Sequence, residues 1–290
     1  MKNQRMSWEE AVRHLRTIPE HAQLVRDAYL DEDTIEAAKR FASSEEFREV
    51  LSILQEAITL PRPWTVLDIG SGSGIAAYAF AKTGSKVFAL EPDSSEDVGA
   101  GAIRRLKEAF SLNIEILEHS AEKISLPDGF ADIVYVRQSL HHAHDLQTML
   151  NEFFRVLREG GCLLACREHV VDNDEQLKEF LDSHPLHKWY GGEHAYSLDV
   201  YRRRILDAGF RLKKILGPFE TIINIAPASM DDLKSALAMR MKFPGGKTVA
   251  TGLWKQETIR SFCTWILSRI SRTPGRLYSF LALKEGMDKG

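Results

Sequence analysis

The sequence predicts an α/β protein: a doubly wound, mostly parallel seven-stranded sheet with an antiparallel closing strand, plus an N-terminal helical cap and a helical insertion before the last strand. Three observations predict it. Short apolar runs bounded by turn residues alternate with helix-length segments from Thr65 to Leu216. Gly70, Gly72 and Gly74 crowd the point where the first apolar run gives way to a helix. The last apolar run, "RLYSFLALK", follows a long helical stretch, as a strand inserted late into the sheet would.

Residues 1–60 read as the cap. Ser7 and Glu10 have the spacing of a capping box ahead of "WEEAVRHLR". A second segment follows Pro19, and a third covers "TIEAAKRFASSEEFREVLSILQEAI". The prolines of "PRPW" end this region because they disfavour helix. Residues 61–290 form the main domain. "TVLDIG" is its first strand, and "GIAAYAFAKTG" a helix closed by Gly84. "KVFALEP" is the second strand, followed by a helix around "GAGAIRRLKEAF" and by the strands "NIEILEHS" and "ADIVYVRQ". "DLQTMLNEFFRVLREGG" is expected to stay helical to Gly160–Gly161, before the strand "CLLACREH". Residues 172–197 hold a short helix and a loop rich in histidine and aromatic residues. Ser197 opens a helix that Gly209 ends, "FRLKKIL" is a strand, and residues 224–276 form the helical insertion.

Composition narrows the function classes. With 290 residues, 44% hydrophobic and 27% charged, the chain is long enough to bury a full core and reads as an ordinary globular protein. A formal charge of −3 leaves no overall footprint for nucleic acid, and the locally basic "YRRRILDAGFRLKK" reads as a solvated helix face and strand. No apolar run is long enough to span a bilayer, and "MKNQRMSWEEAVRHLR" lacks the apolar segment of a secretory signal. Cys162 and Cys166 fall in an apolar run, as buried thiols of a reducing compartment do, and Cys263 is the third cysteine. A cytoplasmic protein is expected, without membrane or nucleic-acid partners, whose cap and insertion cover the cleft or support a homodimer.

The glycine turn fits two cofactors. Gly72, Gly74 and Ala77 satisfy the dinucleotide pattern, and Glu91 follows 17 residues after Gly74, in reach of ribose hydroxyls. An NAD-dependent oxidoreductase is therefore one reading. Asp68 weighs against it, because a carboxylate in the mouth of the turn repels a pyrophosphate. It attracts a ligand carrying an ammonium and a sulfonium.

In order and spacing, "VLDIGSGSG", "ALEPD", "EHSAEKISLPDGFADIVYVRQSLHH" and "RVLREGGCLLACREH" resemble the motifs of the class I S-adenosylmethionine-dependent methyltransferases. The likeness covers residues 64–216 and the closing strand. It implies S-adenosylmethionine as cofactor and S-adenosylhomocysteine as product. By this resemblance Gly70, Ser71, Gly72 and Gly74 shape the backbone around the methionine moiety, with Asp68 nearby. Glu91, followed by Pro92, meets the ribose hydroxyls. Many relatives carry an Asp toward the adenine where this chain has Ser120; Ala121 and Glu122 are then the candidate adenine contacts. Arg137 and Gln138 fall where relatives touch the cofactor.

Methyl transfer is an in-line displacement, and an oxygen or carbon acceptor also needs a base. His141 and His142 follow the fourth strand, at the carboxyl edge where such sheets bind ligands, and are the base candidates. Glu168 and His169 end the fifth strand at the same rim. His187, Trp189, Tyr190, His194 and Tyr196 are candidate acceptor walls. His184, His187, Glu193 and His194 include good metal ligands, but their spacing matches no structural zinc pattern and no metal is expected. "RQSLHH" stands where some amino-group methyltransferases carry an Asn/Asp-Pro-Pro-aromatic motif, which argues against nucleic-acid bases and glutamine amides as acceptors. Phe41 and Phe47 are read as core aromatics that could reach the cofactor from the cap. The expected function is methyl transfer to a small molecule, at oxygen or carbon. The alternatives are the oxidoreductase, a non-catalytic S-adenosylmethionine-binding module, and a protein or RNA acceptor.

Overall fold

The computed structural model describes residues 5–240, 254 and 256–286. Seven strands form one sheet: β1 (Thr65–Ile69), β2 (Lys86–Leu90), β3 (Ile114–Leu117), β4 (Ala131–Arg137), β5 (Leu157–Val170), β6 (Arg211–Leu216) and β7 (Arg276–Leu283). Their order is β3-β2-β1-β4-β5-β7-β6. β7 runs antiparallel to both β5 and β6, while the other neighbours are parallel. The expected doubly wound sheet with its antiparallel closing strand is the observed one. Strand order reverses between β1 and β4, so a crevice opens at their carboxyl ends.

Alternation along the central strands sorts side chains into two cores. Val66, Ile133, Tyr135, Cys162, Leu164 and Cys166 face one layer. Leu67, Ile69, Val134, Val136, Leu163 and Ala165 face the other. On the first face pack α3 (Thr34–Ala42), α4 (Glu45–Ala57), α5 (Ile75–Lys82) and α6 (Ala100–Phe110). On the second pack α7 (Leu146–Val156) and α10 (Leu198–Asp207). Phe41 and Phe47 are core residues, stacked in sequence toward Phe80.

Two expectations change. The boundary at residue 60 does not divide the core: α3 and α4 bury Ala37, Ala38, Phe41, Val50 and Leu54 together with strand residues. Only α1 (Trp8–Arg16) and α2 (Ala22–Asp27) form a separate cluster, with Ala11, Val12, Leu15, Val25, Val98 and Leu186. The helix expected to reach Gly160 stops at Val156. Leu157 turns extended, pairs with Ala131 and is fully buried, so β5 starts before the glycines. Gly160 takes a φ of +77°, and its N–H donates to the Lys284 carbonyl.

The capping box at Ser7 and Glu10 forms, and Ser197 caps α10. Between β5 and α10 lie α8 (Asp174–Ser183) and the single turn α9 (Pro185–Trp189), so residues 172–197 are more helical than a loop. The insertion contains helices Ile222–Ile225, Met230–Arg240 and Glu257–Ile270; its residues 241–253 and 255 lie outside the described ones. Cys162 and Cys166 are buried and free. No described helix is long and apolar enough to cross a membrane.

Candidate functional site

The site forms where β1 and β4 part. After β1 the chain turns through Gly70, Gly72 and Gly74, with φ of +61°, +53° and +84°. Gly70 is the position that tolerates no side chain, because a Cβ there would collide with Ser139 Oγ across the crevice. Gly74 then starts α5, and its left-handed backbone turns the helix N-terminus toward the turn.

Asp68 is 2% exposed and alternates onto the layer beneath α5. Its carboxylate accepts the Ser71 hydroxyl at 2.7 Å. Asp68 thus holds the turn from inside. Burial pushes its pKa up to about 7, against the help of Ser71. Glu91, at the end of β2, accepts from the Gly72 N–H at 2.6 Å and from the Asp93 N–H at 2.9 Å. Burial raises it to about 7 as well. Pro92 is exposed behind it.

The sign of these shifts sets a prediction. An acid whose folded pKa lies above its unfolded value favours the fold most below the unfolded pKa, near 4, and loses that contribution as pH rises through about 7. Relative to Asp68→Asn, the wild type should therefore lose stability between pH 4 and pH 8, by up to about 4 kcal/mol. Urea melts of both proteins across that range check it. Parallel profiles would remove the buried charge from the account.

The β3 end carries the adenine candidates. Ser120 is exposed, Ala121 is buried, and Glu122 accepts from the Ser120 hydroxyl and from the His144 N–H at 2.9 Å. Arg137, expected at the cofactor, is committed elsewhere. Its Nε and Nη2 donate to Glu46 at 2.7 and 3.1 Å, and its Nη1 donates to Gln138 Oε1. Gln138 takes a φ of +53° and donates its N–H to the Cys166 carbonyl. Glu46 escaped the sequence reading, although an acid four residues before Val50 on the apolar stripe of α4 was a usable signal. Glu46 also lines a separate cleft of about 350 Å³ with Tyr29, Arg40, Ile222 and Ala226. That cleft contains none of the glycine-turn or histidine residues.

The rim after β4, where the sequence places the acceptor, is built around Glu168. The pairing of β5 with β7 shifts between Ala165 and Glu168, where Arg167 takes a φ of +61°. This bulge aims the fully buried Glu168 at the segment after β4. Its carboxylate accepts from the Ser139, Leu140 and His141 N–H groups and from His141 Nδ1 at 2.8 Å. Glu168 is therefore a positioning group and does not line an acceptor wall. His141, 2% exposed, lies with Nε2 3.5 Å from Glu193. Burial alone would depress its pKa, but the two carboxylates outweigh that and lift it to about 9. The two carboxylates favour the protonated imidazole, which weighs against His141 as the base. Burial and the adjacent His141 lower His142 instead. Its side chain is 38% exposed, and Nδ1 meets the Gly192 carbonyl at 3.1 Å.

The remaining candidates divide. His169 lies beside His141, 5.0 Å between rings, and its Nδ1 meets the Gly275 carbonyl at 2.8 Å. Burial drives its pKa down to about 3. Glu193, weighed from sequence only as a metal ligand, comes within 4.0 Å of His141, His142 and His184. His194 packs on Tyr196, which packs on Tyr201. His187 leaves its Nδ1 buried without a partner. Trp189 and Tyr190 meet the cap, and Tyr190 also lies near Glu91 and Glu193. The two rings pack on His14 and Trp8 of α1, because the Met6 N–H donates to the Trp189 carbonyl at 3.0 Å and draws α9 under the cap.

With this geometry the comparisons agree. Residues 67–165 match the methyltransferase domain family. The uncharacterized methyltransferase YcgJ of Bacillus subtilis (strain 168) is 30% identical over 125 residues, 40% of this chain and 45% of its own. Dimethylglycine N-methyltransferase of Parasynechococcus marenigrum (strain WH8102) is 31% identical over 140 residues, 47% of this chain and 49% of its own. Among solved structures, geranyl diphosphate C-methyltransferase from Streptomyces coelicolor A3(2), in complex with Mg2+, geranyl diphosphate and S-adenosyl-L-homocysteine, shares the fold. Its TM-score is 0.54 at 14% identity, over 89% of this chain and 87% of that one. The chain spans about half the length of the curated relatives it matches. Over residues 67–165 the chain is therefore similar to the methyltransferase domain family, and its fold is that of solved methyltransferases.

Proposed function

We propose that the protein transfers a methyl group from S-adenosylmethionine to a small-molecule acceptor, at oxygen or carbon. The observation that carries this reading is the pair of buried carboxylates, Asp68 and Glu91, at a glycine turn that would otherwise suit a pyrophosphate. The nearby cation Arg137 is neutralised by Glu46, so the turn presents net negative charge. That donor set fits a cationic, phosphate-free cofactor and opposes NAD. When bound, S-adenosylmethionine supplies an electrophilic methyl on a sulfonium.

The chain's own residues do the rest. Gly70, Ser71, Gly72 and Gly74 cradle the methionine end, Glu91 takes the ribose hydroxyls, and Ser120, Ala121 and Glu122 edge the adenine. Gln138 lies beside them at the end of β4. Across the crevice His142 is the acceptor's base. Its Nδ1 is held by the Gly192 carbonyl, so Nε2 is the nitrogen left for a proton at the exposed rim. His141, locked against Glu168, fixes the segment that carries it. His169, His194 and Tyr196 border this rim. A free small molecule in the cytoplasm is the acceptor class, supported by the net negative charge and the free buried thiols.

His142→Ala should lower turnover by at least about 100-fold, the usual contribution of a positioned base, while S-adenosylhomocysteine affinity stays within about twofold. Labelled cofactor incubated with fractionated cell extract supplies the acceptor for this assay. Turnover at the wild-type rate would remove His142. Label in no fraction, together with stabilisation by NADH and not by S-adenosylhomocysteine, would favour the oxidoreductase.

A further inference from the structure

The acceptor rim holds a second arrangement that methyl transfer itself does not require. His141 Nε2, His142 Nε2 and a carboxylate oxygen of Glu193 converge, the three ligand atoms all lying within 4.8 Å of one another. The separations from Glu193 are 3.5 Å to His141 and 3.9 Å to His142. Tetrahedral ligands about 2.0–2.1 Å from an ion stand roughly 3.4 Å apart, so the two contacts to Glu193 are already near that spacing and the set needs side-chain movements of up to about an ångström to share one centre. His184 borders the set: its Nδ1 is buried, has no hydrogen-bond partner, and lies 4.0 Å from the other Glu193 oxygen.

The outer contacts have the pattern that metal-bound histidines need. A ligating imidazole presents one nitrogen to the ion and gives the other to a carboxylate or a carbonyl. His141 directs Nδ1 to Glu168, and His142 directs Nδ1 to the Gly192 carbonyl. Each is thereby fixed with Nε2 toward Glu193. Glu168 is in turn held by three backbone N–H groups, so this outer contact is itself rigid. The sequence hid the set because His141 and His142 stand about 50 residues from Glu193 and meet it only across the crevice.

We infer that His141, His142 and Glu193 form a three-residue binding site for a divalent transition metal of the zinc type, with the fourth position open at the rim. Two imidazoles and one carboxylate are borderline ligands, which favour zinc over the calcium or magnesium that all-oxygen sites take. The cluster opens at the 38%-exposed His142, so an acceptor oxygen can reach an ion there and lose its proton to water; with the ion bound, His142 Nε2 is a ligand and no longer the base. The acceptor class that fits is a hydroxyl or enol able to ligate metal through oxygen. This inference does not rest on the methyl-transfer reading, since the glycine turn contributes no ligand.

Tag-free, full-length protein stripped by a chelator and titrated with Zn2+ alone should bind one ion per chain. Co2+ in its place should develop the intense visible bands of four-coordinate geometry. Glu193→Gln and His142→Ala should each weaken zinc binding at least about 100-fold, and Glu168→Gln about 10–100-fold by loosening His141. His119→Ala, on the far side of the β3 end, should leave it unchanged. S-adenosylhomocysteine calorimetry on the same preparations shows that the variants are folded and tests the cofactor reading separately. Zinc binding that is equal in wild type and Glu193→Gln, or a Co2+ spectrum of the weak octahedral kind, overturns the site even where S-adenosylhomocysteine binds normally.

Discussion

Glu168→Ala should lower folding stability by about 3–5 kcal/mol, the range for removing one partner of a buried ion pair. The carboxylate is fully buried and accepts four hydrogen bonds, three from consecutive N–H groups after β4 and one from His141. Alanine leaves all four donors without that acceptor in a space too closed for bulk water. It also leaves the His141 imidazolium with Glu193 alone, 3.5 Å away. Glu168→Gln should fall between the two, because an amide oxygen still accepts but brings no charge. Urea denaturation with a two-state fit reads the difference. A loss below about 1 kcal/mol for the alanine variant would mean that the segment is held by something else.

Glu91→Ala is the second large effect, and it falls on the cofactor. S-adenosylhomocysteine affinity should drop at least about 100-fold by calorimetry, since hydrogen bonds to a charged group contribute about 1.5–3 kcal/mol each and two ribose hydroxyls are at stake. The same carboxylate orders the turn by accepting from the Gly72 and Asp93 N–H groups, so part of the loss is a turn no longer preset for the ligand. Affinity within about threefold of wild type would separate Glu91 from the cofactor. Together with the Asp68→Asn melts, the measurement tells apart the two acids: one contacts a ligand, the other supports the backbone that does.

Much of this was legible in the sequence, for reasons that differ by element. The strands were visible because both faces of a parallel sheet are covered, so "VLDI" and "ADIVYV" read as mostly apolar runs, each interrupted by a single aspartate. The end of α7 was misplaced because "LREGG" carries no alternation; Leu157 is drawn into the sheet by pairing with Ala131, which is a tertiary effect. Asp68, Glu91 and the histidine pair lie on local strand-to-turn signals, which is why the sequence singles them out. The importance of Glu46 and Glu193 depended on Arg137 and on the histidines, distant in sequence. Trp189 and Tyr190 were assigned to the acceptor because aromatic residues near histidines suit a pocket. Nothing in their own neighbourhood announced that α1 would claim them.

That claim by α1 has a kinetic side. One short helix is tied to the β2 side of the crevice, where the Asp97 N–H donates to Glu9 at 2.9 Å and Arg13 Nε donates to Asp97 at 2.8 Å. The same helix shares an apolar cluster with Leu186 and Trp189 from the opposite rim. Whatever raises α1 to admit one molecule also loosens the wall against which the other would rest. Two ligands of such a crevice cannot be independent: by linkage, each must alter the other's dissociation by the same factor. Nine residues outside the sheet thus join the two rims through one helix.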